Sequence, residues 1–209
     1  PKMFHMPEGE LRVAGDPLEP LRPWLDEAKQ AGLPEPTAMT LATATREGVP
    51  SARIVLFKGL SNSPVGRRGL EFYTNYESRK SKQLQDNPHA ALVFHWTTMR
   101  RQVRIEGRVE KVSPEESNQY FQSRARESQI GAWSSPQSKP IGTREELESM
   151  VRANQAKFAT GVVPCPPFWG GWRLVPVRIE FWEERPHRLH ERKECQFENG
   201  SWQIRRLAP

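Results

Sequence analysis

Between Leu18 and Ala28 the apolar positions Leu18, Leu21, Trp24, Leu25 and Ala28 recur at helical spacing. Asp16-Pro17 reads as an N-cap followed by proline at the first helical position, and Gly32 with Pro34 reads as a stop. A helix is therefore expected over 16–32. From Thr37 the period changes to two. TAMTLATAT (37–45) and SARIVLFKGL (51–60) are β-rich runs around a hairpin loop, Arg46-Glu47-Gly48-Val49-Pro50. LEFYTN (70–75) is a third strand, and Ser78 to Gln85 a short helix stopped by Asn87-Pro88. HAALVFHW (89–96) and RQVRIEGRVEKV (101–112) form a second hairpin. In it Val103, Ile105 and Val109 alternate with Gln102, Arg104, Glu106, Arg108 and Glu110, the signature of one buried and one polar face. Helices are expected from Ser113-Pro114-Glu115-Glu116, over 123–133, and from Thr143 to Phe158 with Thr143 as cap and Glu146 at N3. After a Pro-rich loop (163–169), strands are expected near 172–183, 187–197 and 201–206, the last two joined by an Asn199-Gly200 turn. Hairpins dominate and no βαβ alternation appears. The fold class this predicts is mainly β: an antiparallel barrel with peripheral helices, one domain over 1–209, with residues 1–15 a flexible extension.

Composition sharpens the picture. Apolar residues make up only 36% of the 209, yet there are seven Trp and nine Phe. That is a thin core with large aromatics, which fits burial against a ligand or a second subunit. No apolar run approaches the ~20 residues of a membrane span, and the opening PKMFHMPEGELR has no signal-peptide pattern. Cys165 and Cys195 match neither a disulfide framework nor a zinc spacing, so a reducing, cytoplasmic setting is expected. The five His residues never pair at metal-ligand spacing, and no metal is expected. Nucleotide-binding, P-loop and hydrolase motifs are absent.

The net charge of +6 is carried by 22 Arg and nine Lys, 31 in all, and Arg is the fork-shaped donor for phosphate and carboxylate. Three basic clusters stand out. Arg53 and Lys58 sit at either end of an otherwise apolar run. Tyr73-Thr74-Asn75 followed by Ser78-Arg79-Lys80 offers hydroxyls and two cations at a helix N-terminus, a candidate phosphate cradle. Arg188, His190 and Arg192 would share one face of an extended strand, close to Trp182, and could receive a planar anion. Taken alone, each cluster also fits an ordinary role: a rim cation, a capped helix with exposed charges, a solvent-facing basic strand. Nucleic acid is disfavoured because the arginines are interleaved with Asp and Glu.

Six segments go further: ARIVLFKG (52–59), FYTNYESRK (72–80), RQVRIEG (101–107), SQIGAWSSPQS (128–138), IEFWEERPHRLHER (179–192) and RRLAP (205–209). In this order, from about Asp16 to Pro209, the chain resembles the pyridoxine/pyridoxamine 5′-phosphate oxidase family. It departs at Glu183, where the family usually has Gln, and at Glu191, where it usually has Asp. The resemblance implies an FMN-binding split barrel acting as a homodimer, with FMN in the subunit interface. It implies that Arg53, Ile54, Val55, Leu56, Phe57 and Lys58 run beside the flavin, and that Tyr73, Thr74, Arg79 and Lys80 hold its phosphate. Gln102, Gln137, Ser138, Trp182 and Arg192 would complete the cofactor site. Substrate would lie among Lys58, Tyr120, Arg124, Ser128, Arg188, Leu189 and His190, with Arg188 and His190 over the pyridine ring as the catalytic pair. The implied reaction oxidises pyridoxine or pyridoxamine 5′-phosphate to pyridoxal 5′-phosphate, O2 leaving as H2O2. Split-barrel relatives with reductase, haem-handling or flavin-carrying roles remain the alternative class.

Overall fold

The computed structural model describes residues 15–209, so the expected extension over 1–15 lies, Gly15 apart, outside the described residues. Among the described residues nine strands form one sheet in which every pairing is antiparallel. They are β1 (Ala38–Ala44), β2 (Pro50–Leu56), β3 (Gly59–Asn62), β4 (Arg68–Asn75), β5 (His89–Trp96), β6 (Arg101–Lys111), β7 (Trp169–Glu183), β8 (Glu191–Glu198) and β9 (Ser201–Arg206). The ladder runs β2-β1-β5-β6-β7-β4-β3, with β8 on β7 and β9 on β8. Helices α1 (Leu21–Gln30), α2 (Arg79–Asp86), α3 (Pro114–Gln122), α4 (Arg126–Ser134) and α5 (Arg144–Lys157) surround it. Among the described residues no helix is long and apolar enough to cross a membrane.

Local chemistry explains most boundaries. Gly48 and the Asn199-Gly200 pair adopt the positive φ that tight hairpins need. Ser113 and Glu116 form a reciprocal capping box that starts α3, and the Thr143 hydroxyl accepts the Glu146 N–H at the start of α5. The helix expected from Asp16 begins later. The Asp16 carboxylate accepts the Leu18 N–H at 2.9 Å, which caps a separate turn, and regular helix starts only at Leu21. Pro20 and Pro23 then fall at the N-cap and in the first turn, where a missing N–H costs nothing.

The run expected as one strand over 51–60 is broken at Phe57-Lys58. The Phe57 N–H donates to Thr37 and the Lys58 N–H to Glu71, so the chain leaves β1 on one end of the ladder and joins β4 on the other. Two residues thus bridge the split between β2 and β3. The strand expected from 172 starts at Trp169, because β4 continues pairing down to Asn75 opposite it. Opposite Glu106/Gly107 the β6–β7 register slips by one residue at Pro176-Val177. A Cβ on Gly107 would stand 2.2 Å from the Val175 carbonyl oxygen, so only glycine fits that bulge.

Leu41, Leu70, Phe72, Leu92, Phe94, Val103, Ile105, Leu174 and Ile179 fill the interior and are fully buried. Leu18, Leu21, Leu25 and Ala28 of the α1 region close over them. A second cluster, Phe121, Ile130, Phe158, Val163 and Trp169, lies under α3, α4 and α5.

Candidate functional site

Three cations meet where β2, β4 and α2 converge. In the β1–β2 register Arg53 pairs with Leu41, so its side chain starts on the core-facing side of the sheet. Its guanidinium donates to the Leu41 carbonyl at 3.1 Å, to Thr43 Oγ1 at 2.6 Å and to Ser51 Oγ at 2.5 Å. Gln83 of α2 ties the two hydroxyls together from below. Lys80, one residue into α2, donates to Thr74 Oγ1 at 3.1 Å, Ser78 Oγ at 3.3 Å and Gln137 Oε1 at 3.0 Å. Burial first, and then the charge of Arg53, push Lys80 down to about 8. Burial and Arg79 likewise lower Arg53. Among the described residues none of Arg53, Arg79 and Lys80 has an ion-pair partner. Like charges gathered on hydroxyls at a helix start are unfavourable unless an anion joins them, and this donor set fits a phosphate monoester. Ser138 and Arg79 line the adjoining cleft of about 690 Å³.

A second cation set lies on the other side of β4. Tyr73, expected beside Thr74 in the cradle, is turned away by the strand's two-residue period. Its ring stacks on Tyr120 at 4.0 Å, and its hydroxyl donates to Glu71 at 3.0 Å. Lys58 Nζ stands 5.9 Å from the Tyr120 ring. Arg124 lies over Trp169 at 4.7 Å, and among the described residues its buried Nη1 has no hydrogen-bond partner. A buried guanidinium nitrogen left open is a place for an acceptor that comes with a ligand. Ser128 is exposed on the first turn of α4. A larger cleft, about 1000 Å³, runs beside α3 and the segment Pro164-Cys165-Pro166-Pro167. Its one lining cation, Lys111, is folded onto Tyr76 and Trp172, so it lacks the free positive charge of the cradle.

The third cluster is rearranged. Arg188, His190 and Arg192 do not share a strand face, because β8 begins only at Glu191. Pro186 opens a 3-10 turn, and His187 and Arg188 take positive φ, which destroys the alternation. Arg188 and Leu189 are exposed. His190 packs against Trp182, ring centroids 4.7 Å apart, and its Nδ1 accepts the Arg185 N–H at 3.3 Å. Arg192 is held by both oxygens of Glu180, whose hydrogen bonds raise its already high pKa. What the sheet does align is a row of direct neighbours, Gln102, Trp182 and Arg192, across β6, β7 and β8. Gln102 precedes the buried Val103, so the row lies on the outer face, whereas Arg53 and Thr74 share the inner one. Along β2 and just beyond it, Val55 and Phe57 pack against the core, Leu56 is half-buried, and Ile54 is 62% exposed.

Thr43, Ser51, Gln83, Glu71 and Arg173 belong to these clusters without having been singled out from sequence. For Arg173 a signal existed: a lone cation inside the apolar run WGGWRLVPV.

Residues 25–157 match the family model described as pyridoxamine 5′-phosphate oxidase, and residues 169–209 the one described as pyridoxine 5′-phosphate oxidase C-terminal dimerisation region. Proteins named pyridoxine/pyridoxamine 5′-phosphate oxidase are similar over nearly the whole chain. The one from Cupriavidus necator is 52% identical over 96% of this chain and 92% of its own. That from Synechocystis is 50% identical over 96% and 91%. Among solved structures, PhzG from Burkholderia lata, in complex with tetrahydrophenazine-1-carboxylic acid, superposes with TM-score 0.86 at 29% identity, covering 93% of each chain. A pyridoxamine 5′-phosphate oxidase-related, FMN binding protein from Nostoc punctiforme shares the fold, with TM-score 0.74 at 18% identity over 94% of this chain and all of its own.

Proposed function

The chain belongs to the pyridoxamine 5′-phosphate oxidase family, and from that membership we propose that it oxidises pyridoxine or pyridoxamine 5′-phosphate to pyridoxal 5′-phosphate, as an FMN-dependent homodimer. One observation carries the reading: two separate cation sets without carboxylate partners among the described residues, one at Arg53, Arg79 and Lys80 and one at Lys58 and Arg124. A phosphorylated cofactor and a phosphorylated substrate require two such sets.

Arg53, Thr74, Arg79, Lys80, Gln137 and Ser138 would hold the FMN phosphate. FMN supplies, when bound, the two-electron acceptor that oxidises the substrate carbon, with O2 as terminal oxidant and H2O2 as product. Lys58, Tyr120, Arg124 and Ser128 would bind the substrate phosphate, Arg124 through its open Nη1. His190 has a defined tautomer. Because Nδ1 accepts the Arg185 N–H, the neutral ring carries its proton on Nε2, where it can donate to the substrate and polarise it. Exposed Arg188, with Leu189, would close over the pyridine ring and orient the reacting carbon. Gln102, Trp182 and Arg192 lie on the outer face, away from the cradle of the same chain. This supports their service to the cofactor held by the second copy, with Ile54 to Phe57 running along that shared boundary.

We further propose that the described chain is one domain: β7 pairs with β4, β6 and β8, so 169–209 cannot be detached from the barrel. The proposed location is the cytoplasm, supported by two free cysteines, Cys165 and Cys195.

The test is a flavin spectrum followed by turnover. The purified protein should carry a yellow FMN band and oxidise both phosphate esters, but not unphosphorylated pyridoxine at comparable kcat/KM. A flavin-loaded protein equally active without the substrate phosphate would overturn the role of Arg124 and Lys58.

A further inference from the structure

Arg173 is 3% exposed in the middle of the apolar run of β7. It reaches four side chains on four elements. Nε donates to Ser61 Oγ at 2.6 Å on β3, and Nη1 to Glu110 at 3.1 Å on β6. Nη2 donates to Glu71 at 3.2 Å on β4 and to Glu116 at 2.7 Å on α3. Burying a guanidinium is costly, and a buried ion cluster seldom stabilises more than well-packed apolar side chains would. What such a cluster does supply is orientation, and its members lead straight to the second cation set.

Glu71 is the link. Its backbone carbonyl accepts the Lys58 N–H at 2.9 Å, and its carboxylate accepts the Tyr73 hydroxyl at 3.0 Å and a short bond from Ser61. Tyr73 stacks on Tyr120, which stands under Lys58. Arg173 also pulls in Glu116 on α3, the helix that carries Tyr120. The backbone has been cleared for this arrangement. A Cβ on Gly69 would lie 2.6 Å from the Arg173 stem, and one on Gly171 would lie 2.7 Å from the Tyr73 ring. Burial and Glu71 raise the Tyr73 phenol, so it stays protonated and donates.

We propose that Glu71, locked by Arg173, is a positioning residue for the substrate phosphate: it sets Lys58 through its backbone and Tyr120 through Tyr73. The inference rests on reading Lys58, Tyr120 and Arg124 as the phosphate pocket, and it assigns the placing of Tyr120 in that pocket to a carboxylate that never touches the ligand.

The test uses FMN-saturated holoenzyme, pyridoxine 5′-phosphate as substrate and inorganic phosphate as a competing probe. In Glu71→Gln the KM and the inhibition constant of phosphate should rise together, by up to roughly ten-fold, because the neutral amide weakens the charge-assisted contacts that hold Arg173 and Tyr73 in place. The kcat and the FMN affinity should stay near wild type. Tyr73→Phe, which removes one hydroxyl, should shift both constants the same way by less, and decides the matter if Glu71→Gln fails to fold. A purely structural role would lower the melting temperature with KM and phosphate inhibition unchanged, and that result overturns the proposal. A wild-type protein that binds FMN but turns over neither phosphate ester would instead overturn the functional reading, and this inference with it.

Discussion

With Lys80 in the proposed phosphate cradle, cofactor binding should depend on pH. Burial and Arg53 bring it to about 8 from its ordinary 10.5. A phosphate dianion favours the charged amine, so FMN affinity should weaken as pH rises through 8, and Lys80→Met should flatten that profile in a fluorescence titration. Stability without FMN moves the other way. Between about 8 and 10.5 the unfolded chain holds the Lys80 proton and the folded chain does not, so stability rises with pH across this window. Denaturation midpoints of wild type against Lys80→Met would show the difference. The two arginines of the C-terminal segment should fail differently. Arg188→Lys keeps the charge but loses the planar fork, and kcat/KM should fall on the order of 10- to 100-fold with FMN retained. Arg192→Lys breaks the two-oxygen grip on Glu180 in the outer row and should weaken FMN retention instead. If added FMN fully restores Arg188→Lys, that residue serves the cofactor and the assignment is wrong.

At the scale of elements, the bulge and the cap are the sensitive points. Gly107→Ala places a methyl against the Val175 carbonyl at the β6–β7 register slip. A contact that close forces backbone to shift, so the cost should be about 2 kcal/mol or more in urea unfolding of the FMN-saturated protein. Ser113→Ala removes one half of the capping box of α3 and should cost about 1 kcal/mol. Both loosen elements that carry or adjoin Tyr120, and the second should be milder because α3 also keeps Pro114 at its first position.

For the whole molecule, assembly and cofactor binding should be one event. The outer side of β2 presents Ala52 and the 62% exposed Ile54 to solvent, an apolar stretch that a second copy would cover. Ile54→Asp should convert the dimer to monomer in sedimentation at micromolar concentration, and FMN should be lost in parallel. A monomer that keeps FMN tightly would show that one chain builds the whole site.

The residues by themselves determined the hairpins and the peripheral helices. Alternation over 101–112, the Asn199-Gly200 turn and the caps at Ser113 and Thr143 are local features, decided by neighbours within a few positions. The clustering of Thr74, Ser78 and Lys80 was equally local. What the sequence could not carry was any outcome set by a partner strand. The break at Phe57-Lys58 exists because β2 pairs with β1 while β3 pairs with β4. Tyr73 points away from Thr74 by the plain alternation of β4, whereas Arg188 leaves the face of Arg192 because a left-handed turn overrides the two-residue count. The Arg173 cluster draws on residues from 61 to 173, brought together only once the barrel has curled. Long-range pairing fixes which side of the wall each side chain occupies, and so tertiary structure alone separated the inner cluster of Arg53, Thr74 and Lys80 from the outer row of Gln102, Trp182 and Arg192.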